Sequence, residues 1–113
     1  MRYTKDDGLA ALAGKMIERY PEFESLKYCR IAYLCADSSK KAGGKTVYAD
    51  TEKVSDKAKA VAHIDFIITF YKPNCEDLDQ KRLELLMYHE LRHVGYEPNE
   101  GKCSIIPHDL EER

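Results

Sequence analysis

At residues 85–93 the chain reads Leu85-Leu86-Met87-Tyr88-His89-Glu90-Leu91-Arg92-His93. Apolar residues recur here at three- and four-residue spacing, which predicts an amphipathic helix with one side packed in the core. The helix is expected to begin near Asp77 or Asp79 and to continue through His93 to Gly95, because glycine commonly follows a helix end. The apolar positions expected to bury it are Leu83, Leu86, Leu91 and Val94.

The same stretch contains the pattern His-Glu-x-x-His. Residues four apart lie one helical turn from each other, so His89 and His93 can converge on one zinc ion. Glu90 is expected to act as a base on a metal-polarised water, which is the nucleophile of a metallohydrolase. A chance pattern on an ordinary buried helix is the alternative, but burying two unliganded histidines would be costly. The pattern therefore predicts two metal ligands and one base.

A catalytic zinc site also needs a third protein ligand and an open fourth position. The longer pattern with another histidine six residues after His93 is excluded, because that position is Asn99. His108 is favoured, because the chain between His93 and His108 is long enough to fold back. The other downstream candidates are Glu97, Glu100, Cys103 and Asp109, the last of which could instead cap a short terminal helix or orient a ligand imidazole.

Outward from the helix, hydrophobic periodicity predicts one α+β domain over residues 1–113, with a small mixed or antiparallel sheet packed against two helices. The predicted elements are a helix over residues 9–20 begun by a Thr4/Asp7 capping box, a strand over 28–35, a Lys-rich hairpin or loop over 37–60 with a turn at Gly43-Gly44, the strongest strand over 62–71, and a loop over 96–113 that returns to a short terminal helix.

Composition excludes several classes of protein. A net charge of −2, with basic and acidic residues interspersed, lacks the basic footprint of a nucleic-acid binder. No apolar run approaches the roughly 20 residues that cross a bilayer, and the N-terminus lacks a secretory pattern, so a cytoplasmic protein is expected. No Cys-x-x-Cys pair occurs, so a thiolate zinc ribbon or dithiol redox site lacks its signature. In a cytoplasmic protein the cysteines are expected to be reduced and mostly buried, with a metal-binding or disulfide role for Cys75 and Cys103 as the alternative; the four are Cys29, Cys35, Cys75 and Cys103.

Several other residues have an ordinary structural interpretation. His63 is expected to be a structural residue of its strand rather than a ligand. Tyr88, Tyr96 and Arg92 could each donate to a tetrahedral intermediate, and the sequence does not choose among them. The Lys-rich stretch over residues 40–59 is expected to be a solvated face, with docking of an acidic partner as the alternative.

Three blocks resemble the phage-type metallopeptidases, a small zincin family: Asp65-Phe66-Ile67-Ile68, residues 85–93, and Ile106-Pro107-His108-Asp109. The resemblance is close over residues 64–109. It implies a minimal zincin-like fold, with zinc held by His89, His93 and His108, and Glu90 as base. It also implies a peptide or protein substrate bound in extended form at the edge of the strand near residues 62–71.

The leading hypothesis is a zinc-dependent hydrolase that cleaves peptide bonds through a water activated by Glu90. A catalytically silent, zinc-stabilised binding module is the alternative, and a fourth protein ligand such as Cys103 would favour it. Hydrolysis of a non-peptide amide is a third hypothesis. The oligomeric state stays open.

Overall fold

The computed structural model describes residues 1–107 and has a mixed α+β architecture, as predicted. The elements in chain order are β1 (Tyr3–Lys5), α1 (Asp7–Arg19), a 3₁₀ helix (Pro21–Tyr28), β2 (Ile31–Ala36), β3 (Lys41–Ala42), β4 (Lys45–Thr46), β5 (Ala49–Lys53), α2 (Asp56–Ala62), β6 (Phe66–Tyr71), α3 (Lys72–Cys75), α4 (Gln80–Leu91), β7 (Val94–Glu97) and β8 (Lys102–Ile105). The predicted terminal helix at His108 lies outside the described residues.

The main sheet has the strand order β1-β2-β6-β5. β2 and β6 run parallel, and the β1–β2 and β5–β6 pairs are antiparallel, so the sheet is mixed. Phe66, Ile68 and Phe70 lie buried on one face of β6, which confirms the predicted apolar face. Each such side chain contributes about 1.5–3 kcal/mol through burial. Because β6 also pairs with a strand on each side, it is a central strand of the sheet.

The expectation that a substrate pairs with the strand near residues 62–71 is wrong. β6 is hydrogen-bonded to β2 on one side and to β5 on the other, so it offers no edge. The edge strand on this side of the sheet is β5, which reads Ala49-Asp50-Thr51-Glu52-Lys53. Its polar composition carries no apolar alternation, so it could not be distinguished from a loop in the sequence.

Helix boundaries differ from the predictions where side-chain hydrogen bonds determine them. Asp6, rather than Thr4, caps α1 and accepts a hydrogen bond from the Leu9 amide at 2.9 Å. The predicted strand over residues 62–71 begins only at Phe66, because α2 extends to Ala62.

His63 ends α2 in the left-handed conformation with φ of 57°, so it is an exposed helix cap, not a strand residue.

The Lys-rich stretch is more ordered than predicted. The Gly43-Gly44 turn is confirmed: both glycines have positive φ, 58° and 79°, and they connect β3 to β4. Lys40 pairs with Asp50 at 2.7 Å, while most other lysines of the stretch are exposed, in agreement with a solvated face.

The C-terminal part of the prediction is wrong in two respects. Helix α4 ends at Leu91 rather than at Gly95, and residues 96–107 are not a simple loop, because β7 and β8 form an antiparallel hairpin. Gly95 is a strand residue of this hairpin. A Cβ there would lie 2.9 Å from Ile106 Cδ1, so glycine allows Ile106 to pack closely rather than ending a helix.

The core lies between the sheet and the helices. Of the four apolar positions predicted to bury α4, Leu91 and Val94 are buried, and Leu83 and Leu86 are half-buried. The cysteines are all free thiols, as predicted, but only Cys103 is buried and the other three are half-buried. The fully buried large side chains are Phe66, Ile68, Met87 and Leu91.

Asp65 joins the start of β6 to two neighbouring segments. Its buried carboxylate accepts a hydrogen bond from the Arg30 amide at 2.7 Å and pairs with Lys59 Nζ at 2.8 Å. Burial alone would raise the pKa of Asp65, but the interactions with Lys59 and Arg30 outweigh it and hold that pKa below its ordinary value. The ionised carboxylate therefore stabilises the folded state.

We expect Asp65→Asn to lower the free energy of unfolding by about 1–3 kcal/mol at pH 7, because a buried charged acceptor is lost. Since the folded-state pKa is depressed, this stabilisation is complete above the unfolded value of about 3.9 and disappears as pH falls through the folded value. Urea unfolding at pH 7 and at pH 3 measures the difference. Asp77→Asn, at an exposed position, is the control, and an equal loss at both pH values would contradict the assignment.

Candidate metal centre

Helix α4 places two of the predicted site residues. Asp79 caps the helix by accepting a hydrogen bond from the Arg82 amide at 2.8 Å. This hydrogen bond fixes the N-terminal end of α4. Near its C-terminal end His89 is exposed to solvent, whereas Glu90 points into the protein and is only 3% exposed. Adjacent helical residues diverge by about 100°, so the same helix supplies one solvent-facing and one buried group.

His93 lies beyond the last residue of α4, yet it still faces His89. The chain tightens after Leu91, because the His93 amide donates to the Glu90 carbonyl at 3.0 Å, a three-residue spacing. The imidazole rings of His89 and His93 have centroids 5.2 Å apart. The predicted convergence of these two rings is therefore present, although the predicted helix extended too far.

The β7–β8 hairpin orients the His93 ring. Nδ1 of His93 lies 2.8 Å from the carbonyl oxygen of Ile106, and the Ile106 amide donates to the His93 carbonyl at 2.7 Å. A carbonyl oxygen only accepts, so Nδ1 carries the proton in this contact. In a neutral ring the lone pair is then on Nε2, which is the arrangement typical of histidine ligands.

Glu90 is held against the sheet by a residue that the sequence analysis missed. Thr51 Oγ1, on β5, lies 2.8 Å from Glu90 Oε1 and 3.2 Å from the Glu90 carbonyl oxygen. Burial raises the pKa of the Glu90 carboxyl, and the hydrogen bond from Thr51 and the proximity of His93 oppose that rise. No motif marks Thr51, because its position depends on the pairing of β5 with β6.

These groups fit a single metal ion. One ligand atom from each of His89, Glu90 and His93 lies within 4.8 Å of the other two, a spacing that one ion can bridge after small side-chain rotations. Two imidazoles and a carboxylate suit zinc and other divalent transition metals. Within residues 1–107 this cluster does not include the other predicted candidates Glu97, Glu100 and Cys103.

The remaining candidates have other surroundings. Cys103 is buried with its sulfur 3.4 Å from that of Cys29. His63 caps α2 rather than joining the cluster. His108 and Asp109 lie outside the described residues.

The structure also gives other contacts to the predicted donor residues. The Tyr88 hydroxyl donates to Glu22, and the Tyr96 ring stacks on Tyr28 with centroids 5.3 Å apart. Arg92 is exposed at the end of α4 and lies near Glu22. None of these three contacts places a donor against the imidazole pair.

A shallow, mainly apolar cavity of about 340 Å³ adjoins His89. Its walls come from α4, from the segment just before α4 and from the residue just before β5. The lining residues are Tyr48, Leu78, Arg82, Leu85, Leu86 and His89.

The fold and the centre describe an α+β protein with a His-Glu-His group suited to a metal ion. The model of the family described as "Putative phage metallopeptidase" matches residues 1–112, and the chain belongs to that family. Comparisons with curated proteins and with solved structures give no significant match. No helix within residues 1–107 combines the length and apolar character needed to cross a membrane.

We expect His89→Ala and His93→Ala each to abolish tight binding of a divalent metal, because each removes one of the two imidazoles in the cluster. Isothermal titration of metal-free protein with Zn²⁺ or Co²⁺ measures the loss. His63→Asn is the matched control, since asparagine tolerates the left-handed conformation and His63 is outside the cluster. Retained binding in both alanine variants would refute this metal site.

Proposed function

We propose that this chain is a zinc-dependent metallopeptidase with a zincin-like arrangement, acting on peptide or protein substrates in the cytoplasm. The observation that carries the proposal is the cluster of His89, Glu90 and His93 in a chain of the phage metallopeptidase family. Two ligands four residues apart, with a carboxylate between them, form the ligand-and-base pattern of zinc peptidases.

We propose His89, His93 and His108 as the zinc ligands. The hairpin supports the third assignment, because Ile106 is hydrogen-bonded to His93 through both its amide and its carbonyl. Two residues of chain span at most about 7 Å, which is why we propose the histidine two positions after Ile106 for the third ligand. Three protein ligands leave a fourth position for water or substrate.

When bound, zinc supplies Lewis-acid chemistry that polarises water and a substrate carbonyl. Glu90 is the proposed general base: its carboxylate takes a proton from the attacking water and returns it to the departing amine. Burial suits this role, because it raises the pKa of Glu90 toward the working pH. His89 lies at the exposed side of the cluster, where a substrate can approach.

The edge strand and the cavity support a peptide rather than a small amide as substrate. β5 is the edge of the main sheet and carries Thr51 against Glu90, so an extended peptide paired with β5 would pass beside the base. The cavity next to His89 would receive an apolar side chain of that peptide. Arg82, in the wall of the cavity, would favour an acidic group nearby.

A zinc-stabilised binding module is the competing function. A fourth protein ligand would favour it, but Cys103, the candidate named for that role, is packed against Cys29. The exposed position of His89 and the cavity beside it favour turnover.

We expect Glu90→Gln to retain the fold and zinc binding while peptide hydrolysis falls by about 10²–10⁴-fold, because the amide keeps the shape of the side chain but not its basicity. Casein cleavage, zinc content and a thermal melt are measured together. Glu84→Gln, on the same helix but outside the cluster, is the control. Equal cleavage by the wild type and Glu90→Gln would assign the activity to another base. A wild type that binds zinc and cleaves no peptide in a broad library would favour the binding module.

We expect Leu85→Asp to raise KM for peptides with large apolar side chains by about 10-fold or more, because a charge would enter the apolar wall of the cavity. Zinc affinity should stay unchanged, since Leu85 is outside the cluster. Val61→Asp is the matched control: Val61 is also strongly exposed, and it lies on α2 outside the cavity lining. A peptide panel that differs at one residue would show the effect, and identical KM values for both variants would remove the cavity from the substrate site.

A further inference from the structure

We propose that Thr51 is a positioning residue whose hydroxyl fixes the Glu90 carboxylate for proton transfer. The inference rests on the proposed role of Glu90 as the base. It adds a residue from the sheet to a centre whose other members come from α4 and the C-terminal segment.

The hydroxyl of Thr51 has a single proton to donate, and two oxygen atoms of Glu90 lie within hydrogen-bonding distance of it. The carboxylate oxygen Oε1 lies at 2.8 Å and the carbonyl oxygen at 3.2 Å. The shorter contact to the group that can carry charge is the stronger hydrogen bond, so the proton is directed to Oε1. With Oε1 bonded to the sheet, the other carboxylate oxygen is assigned to take the proton from water.

The contact between the Thr51 hydroxyl and the Glu90 carbonyl oxygen links Thr51 indirectly to His93. The Glu90 carbonyl that lies near the hydroxyl also accepts the His93 amide at 3.0 Å. This carbonyl is at the point where α4 ends and the chain turns toward His93. Thr51 therefore contacts both the base and the turn that places a proposed ligand.

Thr51 is itself firmly placed. It pairs with Ile68 of the central strand, and a β-branched side chain has few rotamers available. The neighbouring Asp50 projects to the opposite face, where it accepts hydrogen bonds from Lys40 at 2.7 Å and Tyr71 at 2.9 Å. Strand β5 is thus anchored on one face while it presents the Thr51 hydroxyl to Glu90 on the other.

The test compares Thr51→Val, which keeps the shape but removes the hydroxyl, with Thr51→Ser, which keeps the hydroxyl. We expect Thr51→Val to lower kcat about 10- to 100-fold with KM within about twofold of the wild type, because small displacements of a catalytic group have effects of this size. Thr51→Ser should restore kcat to within about threefold. In a Glu90→Gln background, Thr51→Val should cause no further loss.

A second readout does not depend on turnover. The visible absorption spectrum of the Co²⁺-loaded protein reports the surroundings of the metal. It should change in Thr51→Val and remain as in the wild type in Thr51→Ser. Thr69→Val, at a buried threonine that is not hydrogen-bonded to Glu90, is the control for folding effects and should leave both kcat and the spectrum unchanged.

The outcomes separate this inference from the proposed function. Wild-type activity with kcat and the cobalt spectrum both unchanged in Thr51→Val would overturn the role of Thr51 and leave the peptidase intact. A wild type that binds cobalt but cleaves nothing, together with a changed cobalt spectrum in Thr51→Val, would overturn the peptidase while retaining the contact of Thr51 with the centre. A wild type that binds no cobalt and cleaves nothing would overturn both.

Discussion

The packing of α4 against β5 is the constraint on which the centre depends. It takes the Glu90 carboxylate out of solvent and places it 2.8 Å from the Thr51 hydroxyl. A buried carboxylate without a donor would be costly, so this contact stabilises the packing of the helix against the edge strand. The same arrangement leaves His89, the residue before Glu90 on the helix, exposed. The packing of α4 against β5 therefore buries the proposed base, Glu90, while the imidazole of His89 stays in solvent.

The second half of the centre is built by the chain after α4. A tight turn at Glu90 brings His93 back toward His89, and the β7–β8 hairpin returns Ile106 to the His93 ring. The hairpin can approach this closely because Gly95 has no Cβ to meet Ile106. The hydrogen bond from the His93 ring Nδ1 to the Ile106 carbonyl oxygen thus selects the tautomer that suits a metal ligand. A metal site in this chain would depend on strand pairing as much as on the helix.

Elsewhere, acidic side chains hold two strands of the main sheet in place: Asp50 is half-buried and Asp65 is buried. Asp50 joins β5 to Lys40 and Tyr71, and Asp65 joins the start of β6 to Arg30 and Lys59. Burial and the hydrogen bond to Asp50 raise the pKa of Tyr71 to about 12, so the phenol remains a donor throughout the physiological range. These polar anchors act where the strand is too hydrophilic to be fixed by apolar packing, which explains how β5 supports the centre without an apolar face.

Local periodicity and fixed short spacings predict the α+β class, the apolar face of β6, the Gly43-Gly44 turn and the grouping of His89 with His93. Contacts between distant parts of the chain determine that α4 ends at Leu91, that residues 94–105 form a hairpin, and that β5 rather than β6 is the edge strand. The role of Thr51 also depends on tertiary structure, because its hydroxyl contacts a carboxylate 39 positions further along the chain. Such long-range pairings leave no periodic pattern in the sequence. They depend on which polar groups can form hydrogen bonds with each other once the core has formed.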